Sequence, residues 1–437
     1  MSNNDFDAVI VGGGFAGVTV ARELGNAGRN CLLLEARDRL GGRTWTAEFA
    51  GVDVELGGGW IHWLQPHVWA EVTRYGIEVT ESPTPERCVW LADGERYSGE
   101  LAEFDTLLNR GVEKFRAGFE DALEHPHDPL RDKEAIEAID GLSAEDRLEK
   151  LELSPEERAI LSGQLATNSH SPSRLGGLVS SLRWFSPAKW SNPLTQDAIA
   201  RFKLKTGTRS LIAAIAEDAG AEIRLSTPVS FVEQKEDGVL VTTGAGEAVR
   251  ARVAIVAVPL NTLGRIRFTP ELSEGKRAVA AEGQASRGVK VWVRVKGELE
   301  KIYATAPDDA PFTWVQSEYD LPDGQLLVAF APDAGKFDGN DPEQVASAVK
   351  QFLPEVEVID TCAHDWSTDE FSLGTWGFLR PGQTSRYLRE LQRPEGRVFL
   401  AGSDLGNLWG GFIDGAIESG LTTARQVKSL IRERRKS

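Results

Sequence analysis

Gly12, Gly14 and Gly17 stand at the spacing G-x-G-x-x-G directly after the apolar run Asp7 to Val11. The first glycine permits a tight turn, the second lets main-chain N–H groups approach a pyrophosphate, and the third lets the following helix pack on the strand. That helix would point its N-terminus, with its partial positive charge, at the phosphates. Glu35 closes the next apolar run, Leu32 to Leu34, where an acid accepts hydrogen bonds from ribose hydroxyls. Arg37, Arg39 and Arg43 follow around the pair Gly41-Gly42. A second glycine pair with arginine suits another phosphate or a flavin, and a plain NAD site does not need it. Lys290 lies in GVKVWVRVK, where valines alternate with Lys290, Trp292, Arg294 and Lys296, so the pattern predicts a strand with one buried face and one wet, basic face. The three cysteines, Cys31, Cys88 and Cys362, have no CxxC spacing, and the six histidines form no HxxxH cluster. Neither a disulfide framework nor a metal site is expected.

The elements that position these residues begin with a β-turn-α-β unit over the first glycines and Glu35. From about 100 to 200 the pattern is helical and charged. Ser143 and Ser154 stand at N-cap positions, the second with Pro155 and Glu157 completing a capping box. Strand patterns return from Glu222 to Val258, with Asp237-Gly238 as a hairpin turn. A strand at Val289 to Val295 and a βα unit from Val398 follow. At 437 residues the chain suits two domains. No repeat or low-complexity linker separates them, so each is expected to be assembled from separated segments. The start, MSNNDFDAVIV, has no basic leader, and the longest apolar run, Val253 to Leu260, is too short for a bilayer. A cytoplasmic protein without a membrane partner is expected. The net charge of −17 is spread along the chain, which disfavours nucleic acid; such a surface serves solubility or raises the local concentration of cationic ligands.

The string EARDRLGGRT from Glu35 to Thr44, together with Gly57-Gly58-Gly59-Trp60-Ile61-His62, resembles the FAD signature of the flavin amine oxidases, a family that includes monoamine and polyamine oxidases. The likeness extends over essentially the whole chain. Val398 to Gly420, VFLAGSDLGNLWGGFIDGAIESG, is similar to the family's C-terminal FAD segment. The resemblance implies an α/β fold of two domains: a Rossmann-like FAD domain from 1–80, 204–285 and 390–437, and a mixed-sheet substrate domain from 81–203 and 286–389 that contains the helical insertion. It assigns cofactor contacts to the three motif glycines, Phe15, Ala16, Glu35, Ala36 and Arg37. Further contacts fall on Gly41, Gly42, Arg43, Gly58, Gly59, Trp60, Val229 and Val258. The C-terminal segment adds Ala401, Gly402, Ser403, Asp404, Gly411, Phe412 and Ile413.

In Ser372-Leu373-Gly374-Thr375-Trp376, Thr375 stands where covalent members carry a flavin-linking cysteine, which implies noncovalent FAD. Trp376 and Phe412 match the two walls of the family's aromatic cage, and Lys290 matches its lysine, bonded through water to flavin N5. These three are the candidate catalytic residues; His62, Asn168 and Trp314 are weaker candidates for the substrate pocket. The segments at 60–76, 258–276 and 371–386 are similar to the bacterial nicotine-degrading branch of the family, with cyclohexylamine oxidase as a near neighbour. Phe412 departs from both patterns, since tyrosine is usual at this cage wall in the family and a nicotine-oxidising member has a nonaromatic residue there. The expected reaction oxidises a C–N bond of a nicotine-type or other cyclic or secondary amine to an imine, with hydrolysis following and oxygen or a protein as electron acceptor. A primary alicyclic or aryl-alkyl monoamine is the alternative substrate. A carotenoid-type desaturase, a protoporphyrinogen oxidase and a nonenzymatic flavoprotein are more distant alternatives. A monomer or homodimer is expected.

Overall fold

The computed structural model describes residues 5–297 and 299–433, with the side chains of 432 and 433 excepted. Strand Phe6–Val11 lies inside an eight-stranded sheet, with Cys31–Leu34 and then Glu222–Arg224 on one side and Ala248–Val256 on the other, all parallel. The sheet continues through the antiparallel strands Val239–Thr243 and Val229–Gln234 to Arg267–Thr269, while Val398–Leu400 joins Ala248–Val256 in parallel. Asp237-Gly238 turns between two of these strands, as the dipeptide predicts. Both faces of the central strands are covered: Ala8, Ile10 and Leu33 enter one core, and Val9, Val11 and Leu32 enter another.

Helix Phe15–Gly25 starts at the first glycine turn. A Cβ on Gly17 would stand 2.0 Å from the carbonyl oxygen of Gly12, so the third motif glycine brings helix and strand together. The closing helix, Ile413–Glu433, packs across that first helix, and a Cβ on Gly420 would stand 2.7 Å from Ala16 O. These two helices thus form one layer against the sheet.

A seven-stranded sheet takes the order Glu357–Ala363, Val289–Lys296, Gly324–Ala331, Trp314–Leu321, Ile302–Thr305, Arg87–Ala92 and Glu95–Gly99. Helices Leu101–Arg116, Lys133–Asp140, Ala144–Leu148, Pro155–Ser169, Leu178–Phe185 and Asn192–Ala200 fill the interval where helices are expected. Ser143 and Ser154 each begin one with a full capping box, a contribution of about 1 kcal/mol apiece.

Strand Val289–Lys296 departs from the alternating expectation. Lys290 and Trp292 are as buried as the valines between them, and only Arg294 and Lys296 near the end reach solvent. Alternation predicts a wet face only where nothing covers it; here the segment around Glu55 to Trp60 does, and Trp292 Nε1 donates to Glu55 O at 2.9 Å. The divides expected at 80/81 and 203/204 fall inside strands Val79–Glu81 and Phe202–Leu204, which pair with each other in a small three-stranded sheet that also holds Trp60–Ile61. That at 389/390 falls inside helix Gln383–Gln392. Sequence pattern marks turns, and these segments hydrogen-bond straight across the divide. No helix among the described residues is long and apolar enough to cross a membrane.

Candidate active site

A cavity of about 320 Å³ runs between the two sheets, from the glycine turns to a group of aromatic rings. Its first end is walled by main chain. Gly12 has φ +107°, and a Cβ there would stand 2.6 Å from Ala257 O. Gly14 is different: the nearest protein atoms to an added Cβ lie 4.0 Å away, and the space it would enter is the cavity. Gly402 is similarly bare, with nothing nearer than 3.8 Å. Glu35 accepts hydrogen bonds from the N–H groups of Gly13 (2.6 Å) and Arg37 (2.8 Å), which fixes the carboxyl group at the cavity wall.

The arginines divide the work of joining this end to the rest. Arg43 grips Asp404 through its two terminal guanidinium nitrogens, at 3.0 and 2.6 Å, and also donates to Thr375 O and Ser403 Oγ. Arg37 donates to Asp369 (2.7 Å) and Ser372 (2.8 Å). Burial pushes the Asp369 carboxyl up, but His364 and Arg37 together hold it well below the ordinary range. Arg39 lies over the Trp45 ring at 4.6 Å and donates to the carbonyls of Leu40, Gly42 and Thr44.

At the other end the wall is side chain. Trp60, Trp314, Phe330, Trp376, Trp184 and Phe412 line it. Trp376 Nε1 donates to Asn168 O at 2.9 Å, and the ring lies parallel to His170 with centroids 4.4 Å apart. Phe412 packs on Trp184 at 4.7 Å. Polar groups are few and chained: Tyr303 Oη donates to Gln164 Oε1 (3.1 Å), whose Nε2 donates to Asn168 Oδ1 (2.8 Å). Lys290 Nζ donates to Gly57 O at 3.0 Å and lies 4.6 Å from the Trp60 centroid. Burial pushes the ammonium down to about 7; Glu55 and Glu318 counter that fall, and Lys203 adds to it. The lysine is thus held inside an aromatic wall with its proton affinity lowered.

The family model for flavin containing amine oxidoreductases matches residues 15–428. The chain belongs to that family. Three relatives align along nearly the whole chain. Pseudooxynicotine dehydrogenase from a Pseudomonas species is 43% identical, covering 99% of this chain and 88% of its own. Nicotine dehydrogenase of Pseudomonas putida is 41% identical, covering 98% and 89%. (S)-6-hydroxynicotine oxidase of Paenarthrobacter nicotinovorans is 34% identical, covering 95% and 97%. Among solved structures, cyclohexylamine oxidase from Brevibacterium oxydans superposes with a TM-score of 0.82 at 22% identity, over 98% of this chain and 100% of that one, which establishes the shared fold.

This flavin amine oxidoreductase therefore uses FAD, and the bare main chain at Gly14 and Gly402 beside the Glu35 carboxyl fits that cofactor. Of the expected contacts, Gly12, Gly14, Phe15, Ala16, Glu35, Ala36, Arg37, Gly41, Gly42 and Arg43 line the cavity. Gly58, Gly59, Trp60, Val229, Val258, Gly402, Ser403, Gly411, Phe412 and Ile413 do so too. Gly17, Ala401 and Asp404 lie behind the wall, and Asp404 pairs with Arg43, which lines it. Asn168, Trp314, Lys290 and Trp376 line the aromatic end. His62 does not: its ring is fully buried between Asp197 and the N–H of Leu64, outside the cavity. Proximity in sequence to Gly59-Trp60 misled, because the chain turns away after the two-residue strand Trp60–Ile61. His170, Tyr303, Gln164, Trp184 and Phe330 were not anticipated. Gln164 and Asn168 share one helix face at i, i+4, a signal present in the sequence; the others carry none.

Proposed function

We propose that this enzyme oxidises a small monoamine of the nicotine type, or another cyclic or secondary amine, at the carbon beside nitrogen, giving an imine that water then hydrolyses. One observation carries the reading: among the described residues the aromatic end holds two titratable bases, Lys290 and a His170 that burial keeps neutral, and no carboxyl group. The two acids of the cavity wall, Glu35 and Glu370, both lie at the nucleotide end, near Arg37 and Arg265. A fixed ammonium thus meets no counter-ion here, and desolvation by the rings favours the neutral amine. Loss of a hydride equivalent leaves positive character on carbon that only a nitrogen lone pair can share, so the neutral form is the reactive one. FAD supplies the two-electron acceptor. The rings exclude water, Lys290 holds an exchangeable proton beside Gly57, and the Gln164–Asn168 chain orients the polar part of the amine. The names of the three relatives support a nicotine-type substrate. Putrescine, the ligand in a solved structure of the same fold, carries a second ammonium that this wall does not match.

Mixing the oxidised enzyme anaerobically with nicotine, cyclohexylamine and putrescine tests this. Bleaching of the flavin by nicotine is expected. Bleaching by cyclohexylamine alone would select the primary-amine alternative, and bleaching by putrescine alone, or by no amine, would overturn the reading. Readmitting air asks whether oxygen is the acceptor, and rapid recolouring is expected. The cofactor is held without a covalent bond in this proposal, because the Thr375 hydroxyl cannot form a thioether; acid denaturation should leave all the yellow colour in the supernatant.

A further inference from the structure

His170 has no role in the reading above, yet it occupies an unusual place. It follows helix Pro155–Ser169 as its C-cap, in the left-handed conformation at φ +48°, which turns its side chain back into the cavity wall. Its imidazole lies face to face with the Trp376 indole, at an interplanar angle of 5° and a centroid distance of 4.4 Å. Nδ1 is 3.0 Å from Thr375 Oγ1, in the residue next to that tryptophan, and the ring of Phe330 packs against the imidazole at 5.1 Å. The indole edge is held from the same helix end, since Trp376 Nε1 donates to Asn168 O.

We propose that His170 is a positioning residue that sets the plane of Trp376 against the reacting amine. Two contacts are needed to fix a planar ring. The bond to Asn168 O holds the edge of the indole, which can still tilt about its Cβ tether. The stacked imidazole opposes that tilt, and the Thr375 hydroxyl stops the imidazole from sliding. Burial, with the neighbouring Lys290, pushes the imidazole down to about 3, so it stacks as a neutral ring and adds no second cation to the aromatic end. The proposal rests on the reading of Trp376 as a wall of the amine site.

His170→Asn is the informative variant, because asparagine tolerates the left-handed backbone while it cannot stack. Two measurements on FAD-loaded protein decide the matter. Solvent exchange of the Trp376 indole N–H, assigned by its loss in Trp376→Phe, needs no substrate and should accelerate at least about tenfold. The limiting rate of anaerobic flavin reduction by (S)-nicotine should fall by about tenfold as well, with FAD content and recolouring in air unchanged. Unchanged indole exchange overturns the proposal, and so does faster exchange with an unchanged reduction rate. If the parent enzyme is bleached by no amine, the proposed function fails, while the exchange measurement still decides whether His170 holds Trp376. Should His170→Asn fail to load FAD, Thr375→Val removes the hydroxyl that anchors the imidazole. It must then show the same two changes, smaller in size, and no change in either overturns the proposal.

Discussion

The two ends of the cavity are built on opposite principles. At the nucleotide end the wall is main chain, and the sequence must supply the absence of side chains at Gly12, Gly14 and Gly402. At the aromatic end the wall is side chain, collected from Trp60, Asn168, Trp184, Lys290, Trp314, Phe330, Trp376 and Phe412 along most of the chain. A main-chain site is intolerant at single positions because nothing can move aside. A side-chain site spreads its requirement over several rings, each of which another large apolar residue partly replaces. Substitutions at the first end should therefore abolish cofactor binding, and those at the second should grade the rate.

The largest effect is expected at Gly14. An added side chain there meets no protein atom closer than 4.0 Å and enters only cavity space. Gly14→Val should thus give folded protein with most of its FAD missing. Gly17→Val, which drives a Cβ to 2.0 Å from Gly12 O, should damage folding itself. Full flavin occupancy in folded Gly14→Val would remove the phosphate turn from this position.

At the other end, Lys290→Met retains length and burial but removes every donor. Turnover should fall by at least about tenfold, roughly 1.4 kcal/mol of barrier, with FAD content unchanged. Slow anaerobic bleaching would place the lysine in amine oxidation, and slow recolouring would place it in reoxidation. Two half-reactions equal to those of the parent would reduce Lys290 to a packing residue.

A smaller effect concerns pH. With Lys290 near 7, the half-reaction it controls should show an inflection close to that pH in the parent and lose it in Lys290→Met. The substrate's own ionisation is common to both proteins and cancels in the comparison.

The smallest effect is on stability. Between about 7 and the ordinary lysine value of 10.5, the unfolded chain binds a proton that the folded chain refuses. Stability owed to this group therefore rises with pH across that window; as pH falls it is lost between 10.5 and 7, and the loss is complete once pH is below 7. Lys290→Met should exceed the parent's urea midpoint by most near pH 7, with the advantage shrinking toward pH 10.5. A constant difference would mean that Lys290 is not desolvated.

Much of the nucleotide end was legible because its rules are local. The spacing of Gly12, Gly14 and Gly17, the acid Glu35 at the strand end, and the string through Arg43 are determined by the geometry of one turn and one helix N-terminus. The N-caps at Ser143 and Ser154, and the capping box at the second, were legible for the same reason. Lys290 shows the limit: its alternating strand predicts a wet face, and only the segment around Glu55 to Trp60, folded over it, makes that face dry and lowers the proton affinity of its amine. His62 and His170 show the limit from both sides, since each is one histidine near a site segment. The chain turns one into a bond with Asp197 outside the cavity, and a single left-handed residue turns the other onto Trp376. The sequence by itself determined the family, through strings that resemble it, and the cofactor turn and the helical insertion, because the last two follow from contacts between near neighbours. Tertiary structure alone decided which rings, amides and bases share the aromatic end, because desolvation and stacking depend on what the rest of the chain lays against each side chain.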